Sequence, residues 1–268
     1  MKDNRISPIE KGIRVFDLSN PEKFDAYDRL YIGDDSCERL VPESTKLEAI
    51  LMYARKNNKR ISLLTSYYTD KGLKNLKIIL GILNNSGSDI EVVINDIGVL
   101  KLLNSEYKNI IPVYGALSSS SFLHPYANFK SGCQGISSSE RHLLAKEVFD
   151  FLIKNNFKRV EFDNITSIFL LADSFISKGI NVSFHYPFTF LTSTRRCLFA
   201  SRKSISSKFA LLGCNKECLN YRLILVNRNL GHKIFVRGTA QYMRKKAKNN
   251  LSDICRDHGV DRLIRSKA

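Results

Sequence analysis

Short apolar runs alternate with helix-period stripes along most of this 268-residue chain. That alternation restricts the fold more than any other feature. The runs at 13–16, 29–32, 61–64, 91–94, 110–113, 159–162, 181–184 and 223–226 are dominated by Val, Ile, Leu and Phe, and each is long enough for a buried strand. A further run at 233–236 reads as a hairpin partner of the one before it. Between the runs, Leu47, Ile50, Leu51 and Ala54 recur at i, i+3, i+4 and i+7, with Ser44 or Thr45 placed to cap them. Leu144, Val148, Phe151 and Leu152 form a second stripe, and Ile165, Ile168, Phe169 and Ala172 a third. Strands alternating with helices predict a parallel sheet. About eight strands, in a chain close to the roughly 250 residues of a closed barrel, predict one α/β domain over residues 1–268. It is expected to be a single (β/α) TIM-like barrel, incomplete or distorted in places. A doubly wound open sheet is the alternative.

Apolar residues make up 43% of the chain, enough for a sizeable core. No apolar run approaches the roughly 18 residues of a membrane span. The first twelve residues are polar and lack the apolar stretch of a signal peptide. The expectation is a cytoplasmic protein with reduced thiols. Serine runs at 118–121 and 137–139 frame a loop-rich stretch holding Cys133, which reads as an excursion between barrel units.

The net charge of +16 is unevenly spread. Residues 195–268 carry 18 Lys and Arg against 4 Asp and Glu, whereas the first 194 carry 24 against 22. The chain therefore ends in a basic C-terminal segment, about 239–268. A solvated basic face aids solubility by itself. It also attracts anions: small carboxylates, an acidic protein, or RNA phosphates.

Six cysteines stand in the sequence. Cys214 and Cys218, three residues apart, can reach a common centre, and thiolates from elsewhere can complete a tetrahedral sulfur site. Soft thiolates select zinc or an iron–sulfur cluster, while a lone cysteine also serves as a small buried hydrophobe. Zinc sites commonly pair two Cys-x2–4-Cys knuckles, and here Cys37 and Cys197 stand apart from the single pair. In a barrel, loops after the strands gather functional groups at the C-terminal mouth. Cys37 follows the run ending at Ile32, Cys197 follows 181–184, and the pair precedes 223–226, so the four are expected to converge over one mouth. Hydrolytic signatures are missing: no His-Glu-x-x-His and no Gly-x-Ser-x-Gly occurs.

Several short motifs fall in a recognisable order. Tyr31, Gly33 and Cys37 form the first. Ser193, Arg196, Cys197, Ser201 and Arg202 form the second, and Cys214 with Cys218 the third. The run 90–100 contains Asn95, Asp96, Gly98 and Val99, and 236–241 places Arg237 where Asn is usual. Together they resemble the collagenase-like peptidase family, and within it the ubiquinone-biosynthesis branch, over roughly residues 29–241. The resemblance implies a 4Fe–4S cluster on Cys37, Cys197, Cys214 and Cys218, and leaves Cys133 and Cys255 as non-ligands. It also implies a part in oxygen-independent hydroxylation of a small aromatic or quinone-like substrate, with prephenate as oxygen donor, as one subunit of a pair of similar chains. RNA-base hydroxylation, or a non-catalytic cluster-binding partner, are the alternatives that it leaves open. Arg196, Arg202 and Arg237 are the candidate carboxylate binders, since guanidinium pairs bidentately with carboxylate. Asp96 is the candidate acid/base group, although an Asn-Asp-x-Gly run also makes turns and helix caps. Peptidase activity finds no support in these residues.

Overall fold

Seven strands appear in chain order where the apolar runs predict them: β1 (Glu10–Val15), β2 (Arg29–Gly33), β3 (Arg60–Leu64), β4 (Glu91–Ile94), β5 (Ile111–Tyr114), β6 (Arg159–Phe162) and β7 (Asn181–Tyr186). Then follow β8 (Phe188–Ser193), β9 (Leu223–Asn227), β10 (His232–Arg237), β11 (Ala240–Arg244) and β12 (Arg262–Arg265). This computed structural model describes residues 8–87, 89–120, 146–163, 168–194, 197–201, 214–227, 232–245 and 250–266. Strands β1 to β7 and β12 are all parallel and close into an α/β barrel, with helices between them. The open-sheet alternative is excluded, because β12 pairs with both β1 and β7.

The eighth barrel strand is not the one that the sequence suggests. The runs 223–226 and 233–236 lie in β9 and β10 of a separate antiparallel sheet, ordered β8-β11-β10-β9 and inserted between β7 and β12. The basic C-terminal stretch supplies β11 to that sheet and β12 to the barrel. No helix among the described residues is long and apolar enough to cross a membrane.

Alternation along each strand sorts side chains to two sides of the barrel wall. Leu30, Ile32, Leu63, Val92 and Val182 join one large core with helix residues such as Leu47, Ile50, Leu76, Ile79 and Leu83. The helix Ser44–Lys56 takes Glu43 as its N-cap with no side-chain hydrogen bond, so Ser44 and Thr45 are its first residues and not its cap. The helix Asp70–Asn85 is capped by Thr69, whose hydroxyl accepts from Gly72 N at 3.1 Å.

Inside the barrel the layers are of two kinds. A small apolar plug joins Tyr31, Leu64, Val93, Val113 and Ile264. Gly12 makes room for it, since a Cβ there would lie 2.7 Å from the Tyr31 ring. Below, at the strands' N-terminal ends, is a layer of ion pairs. Arg262 donates through Nε to Glu10 at 2.6 Å and through both Nη atoms to Glu91 at 2.6 and 2.9 Å. Arg29 donates through Nε to the other Glu10 oxygen at 2.7 Å, and Ser62 Oγ donates to Glu91 at 2.8 Å. Burial alone would raise the Glu91 carboxyl, but Arg262, Arg29 and Arg159 outweigh it and hold it at about 2.

Candidate metal centre

The loop after β2 sets the first cysteine. Gly33 turns the chain with φ +79°, where a Cβ would lie 2.7 Å from the Leu64 carbonyl oxygen, so the position requires glycine. Asp34 then accepts from Ser36 N at 2.9 Å and Ser36 Oγ at 2.6 Å, folding a tight turn that ends at Cys37. Both acids are buried and held by cations. Arg14 of β1 pairs with Asp34 and Asp35, Tyr242 OH donates to Asp35 at 3.2 Å, and Thr239 Oγ1 donates to Ser36 O at 2.6 Å. Burial would raise the Asp35 carboxyl, but Arg14 and Arg237 bring it down to about 2. The Cys37 loop is thereby fastened to the barrel on one side and to the antiparallel sheet on the other.

The remaining cysteines come from that sheet and its connections. Cys197 immediately precedes the helix Leu198–Ser201, just beyond β8, where Thr194 N donates to Thr239 O at 2.8 Å. Cys214 accepts from Lys216 N at 3.4 Å, and Cys218 lies in a short 3-10 turn, Glu217–Leu219. Gly238, at φ +56°, passes close by: a Cβ there would meet Cys37 Cβ at 3.2 Å and its sulfur at 3.8 Å.

Cys37, Cys197, Cys214 and Cys218 all line one cavity of about 500 Å³, together with Tyr67 and Tyr68. Each is a partly exposed cysteine. Burial pushes Cys37 up to about 12, with Asp34 and the thiols of Cys218 and Cys197 adding to the rise. Burial likewise pushes Cys218 up to about 11, against a backbone hydrogen bond from Gly238 and with help from Cys197 and Cys214. The thiols thus feel one another, and a cation among them would relieve the repulsion between thiolates. Among the described residues no three His, Cys, Asp or Glu side chains converge closely enough to hold a single metal ion. The four cysteines ring a volume.

Of the other predicted residues, the described ones do not line this cavity. Cys255 is fully buried in the main core. Asp96 is the N-cap of the helix Ile97–Glu106, its carboxylate accepting from Gly98 N at 2.6 Å, and it does not line the cavity. Arg237 is 3% exposed beneath the Cys37 loop, stacked at 5.5 Å on both Phe16 and Tyr242. Its Nε lies 3.0 Å from Asp34 Oδ2 as a close ion pair not aligned as a hydrogen bond, and neither Nη has a hydrogen-bond partner among the described residues. Arg196, Arg202 and Cys133 lie outside the described residues. Sequence reasoning overlooks Arg14, Asp34, Asp35, Thr239 and Tyr242, which position the first cysteine. The Asp-Asp-Ser-Cys run directly after a strand is the one local signal for them.

No protein-family model matches this sequence, and no curated protein matches it. A solved structure of a U32 peptidase is similar to 97% of this chain and 93% of its own, with a TM-score of 0.49 and 10% identity. A likeness that faint carries no information about the site.

Proposed function

We propose that this chain is an iron–sulfur protein that holds a 4Fe–4S cluster on Cys37, Cys197, Cys214 and Cys218 over the mouth of its barrel. One observation carries the reading: four cysteines from three separate segments line a single cavity beyond the strands' C-terminal ends, where barrels place their chemistry. All-thiolate sets are the ordinary ligands of such clusters, and the cavity gives this one room. A bound cluster would supply one-electron chemistry, each of its four irons being held by one cysteine. The chain's own part is to fix the ligand loops. Arg14 and Tyr242 hold the Asp34–Asp35 turn, Thr239 ties it to the sheet, and Gly238 leaves the space that Cys37 occupies.

The family resemblance extends the proposal. The cluster then serves oxygen-independent hydroxylation of a small aromatic or quinone-like substrate, with prephenate as donor, in a pair with a second, similar chain. Pairing also has support in the antiparallel sheet. Its edge strand β9 exposes Ile224, Leu225 and Val226 at 42%, 37% and 65%, and apolar edges of that kind are usually covered.

Protein prepared anaerobically should be brown, with broad absorption near about 400 nm from thiolate-ligated iron. Ala at any of the four positions should bleach it, whereas Cys255→Ala should not. Stoichiometric zinc in place of iron, or colour that survives loss of two of the four cysteines, would defeat the proposal.

A further inference from the structure

Below the cysteine cavity, the barrel interior holds a second group of titratable side chains that the cluster reading does not use. Adjacent strands supply it: Glu161 on β6, His185 on β7, and Ser266 one residue beyond β12. Their exposures are 0%, 2% and 8%. His185 Nε2 lies 2.9 Å from Glu161 Oε2, and His185 Nδ1 lies 3.0 Å from Ser266 Oγ. Tyr31 OH donates to the other Glu161 oxygen at 2.8 Å, and Arg262 Nη1 donates to Tyr31 OH at 3.0 Å. A continuous hydrogen-bonded chain therefore runs from the ion layer up to Ser266.

The bland account is a core histidine with both nitrogens satisfied. Glu161 argues against it. The buried acids Glu10, Glu91, Asp34 and Asp35 each face at least one arginine, which compensates a carboxylate permanently. Glu161 does not: its one ionic partner among the described residues is His185. A buried carboxylate needs a positive partner or a proton, so this pair must hold one proton between its two members. We propose that Glu161, His185 and Ser266 form an acid–base site at the barrel mouth, in which His185 exchanges a proton through Ser266 with the hydroxyl of a small ligand.

The chemistry moves protons only. In the resting pair the shared proton makes His185 an imidazolium against the Glu161 carboxylate. Its Nδ1–H gives a proton to Ser266 Oγ as Ser266 passes its own to an oxyanion of the ligand, leaving a neutral imidazole and a ligand hydroxyl. Reversal of the same transfer takes the proton back from the ligand's O–H. Glu161 is a positioning residue: it fixes the tautomer with Nε2–H toward itself, which leaves Nδ1 as the working nitrogen. Other groups facing the imidazole are Asp35 and Asp163, both in electrostatic reach, and the Tyr31 ring, edge-on at 6.3 Å. Arg14 acts on Asp163 from the β1 side. None of the four proposed cysteine ligands takes part.

Nitrogen-15 NMR of the histidine rings, on the full chain as purified and with water as the hydroxyl probe, tests the assignment. The His185 signals, identified by their loss in His185→Gln, should show protons on both ring nitrogens. Glu161→Gln should cut that doubly protonated population at least tenfold. Ser266→Ala should keep it while slowing exchange of the Nδ1 proton with water at least tenfold. If Glu161→Gln does not fold, the wild-type spectrum and Ser266→Ala still decide. A neutral imidazole in one tautomer in the wild type, or an exchange rate indifferent to Ser266, overturns the proposal.

Discussion

The two ends of the barrel are built from the same residue types and differ in how completely they are paired. At the floor, Glu10 and Glu91 meet Arg29 and Arg262 through short hydrogen bonds, and Glu91 is held ionised down to about 2. At the mouth, Glu161 faces a histidine, Arg237 keeps two Nη atoms without hydrogen bonds among the described residues, and burial lifts Asp163 to about 6. A closed ion layer confers rigidity and no chemistry. A layer that holds exchangeable protons near neutral pH has the means to react. The floor is scaffold, and the mouth is where the cysteines gather.

The largest effect should come from opening the floor. Arg262→Met removes the cation that bridges Glu10 and Glu91 by three hydrogen bonds and leaves Arg29 to face both, and removing one partner of a buried ion network costs about 3–5 kcal/mol. Urea unfolding should show that loss, with the unfolding slope unchanged; a loss below about 1 kcal/mol would mean that the layer is not a structural unit. Next in size is the contrast in pH. Glu91 has a folded value below its unfolded one, so its stabilisation is present above about pH 4.5 and is lost as pH falls toward 2. Asp163 has the opposite sign. Its folded value of about 6 lies above the ordinary 3.8, so stability is greatest at low pH and is lost as pH rises through that window. By about 1.4 kcal/mol per unit the penalty at neutral pH is roughly 3 kcal/mol. Asp163→Asn should therefore raise the melting temperature at pH 7 and leave it little changed at pH 4. Equal effects at both pH values would contradict a protonated mouth carboxyl.

The legible and illegible parts of this fold divide along the same floor and mouth. β1 to β7 were readable because their core-facing residues are apolar. β12 was not, because its inward position at the floor is Arg262, whose charge is compensated by Glu10 and Glu91 on distant strands, so the Arg-Leu-Ile-Arg run reads as polar surface. The converse error occurred at 223–226, where Leu-Ile-Leu-Val reads as a buried strand but forms an exposed sheet edge. That the four cysteines gather at one cavity was legible from spacing and motif order. The anchors of its first loop were not, since Arg14 and Tyr242 reach Asp35 across 21 and 207 residues.

A smaller effect separates Asp96 from the chemistry. As a helix cap it is worth about 1 kcal/mol, so Asp96→Ala should cost that much stability. Its metal content should match the wild type. A variant of full stability that loses metal would return Asp96 to the functional site.

Acid-labile sulfide, measured beside iron in protein prepared without oxygen, decides whether the four cysteines hold a cluster, because neither a zinc site nor a lone iron on thiolates contains sulfide. About four iron and four sulfide per chain are expected, both falling together to near zero in Cys37→Ala and in Cys218→Ala, with folding retained by circular dichroism. Iron or zinc bound to the same cysteines with no sulfide would contradict a cluster.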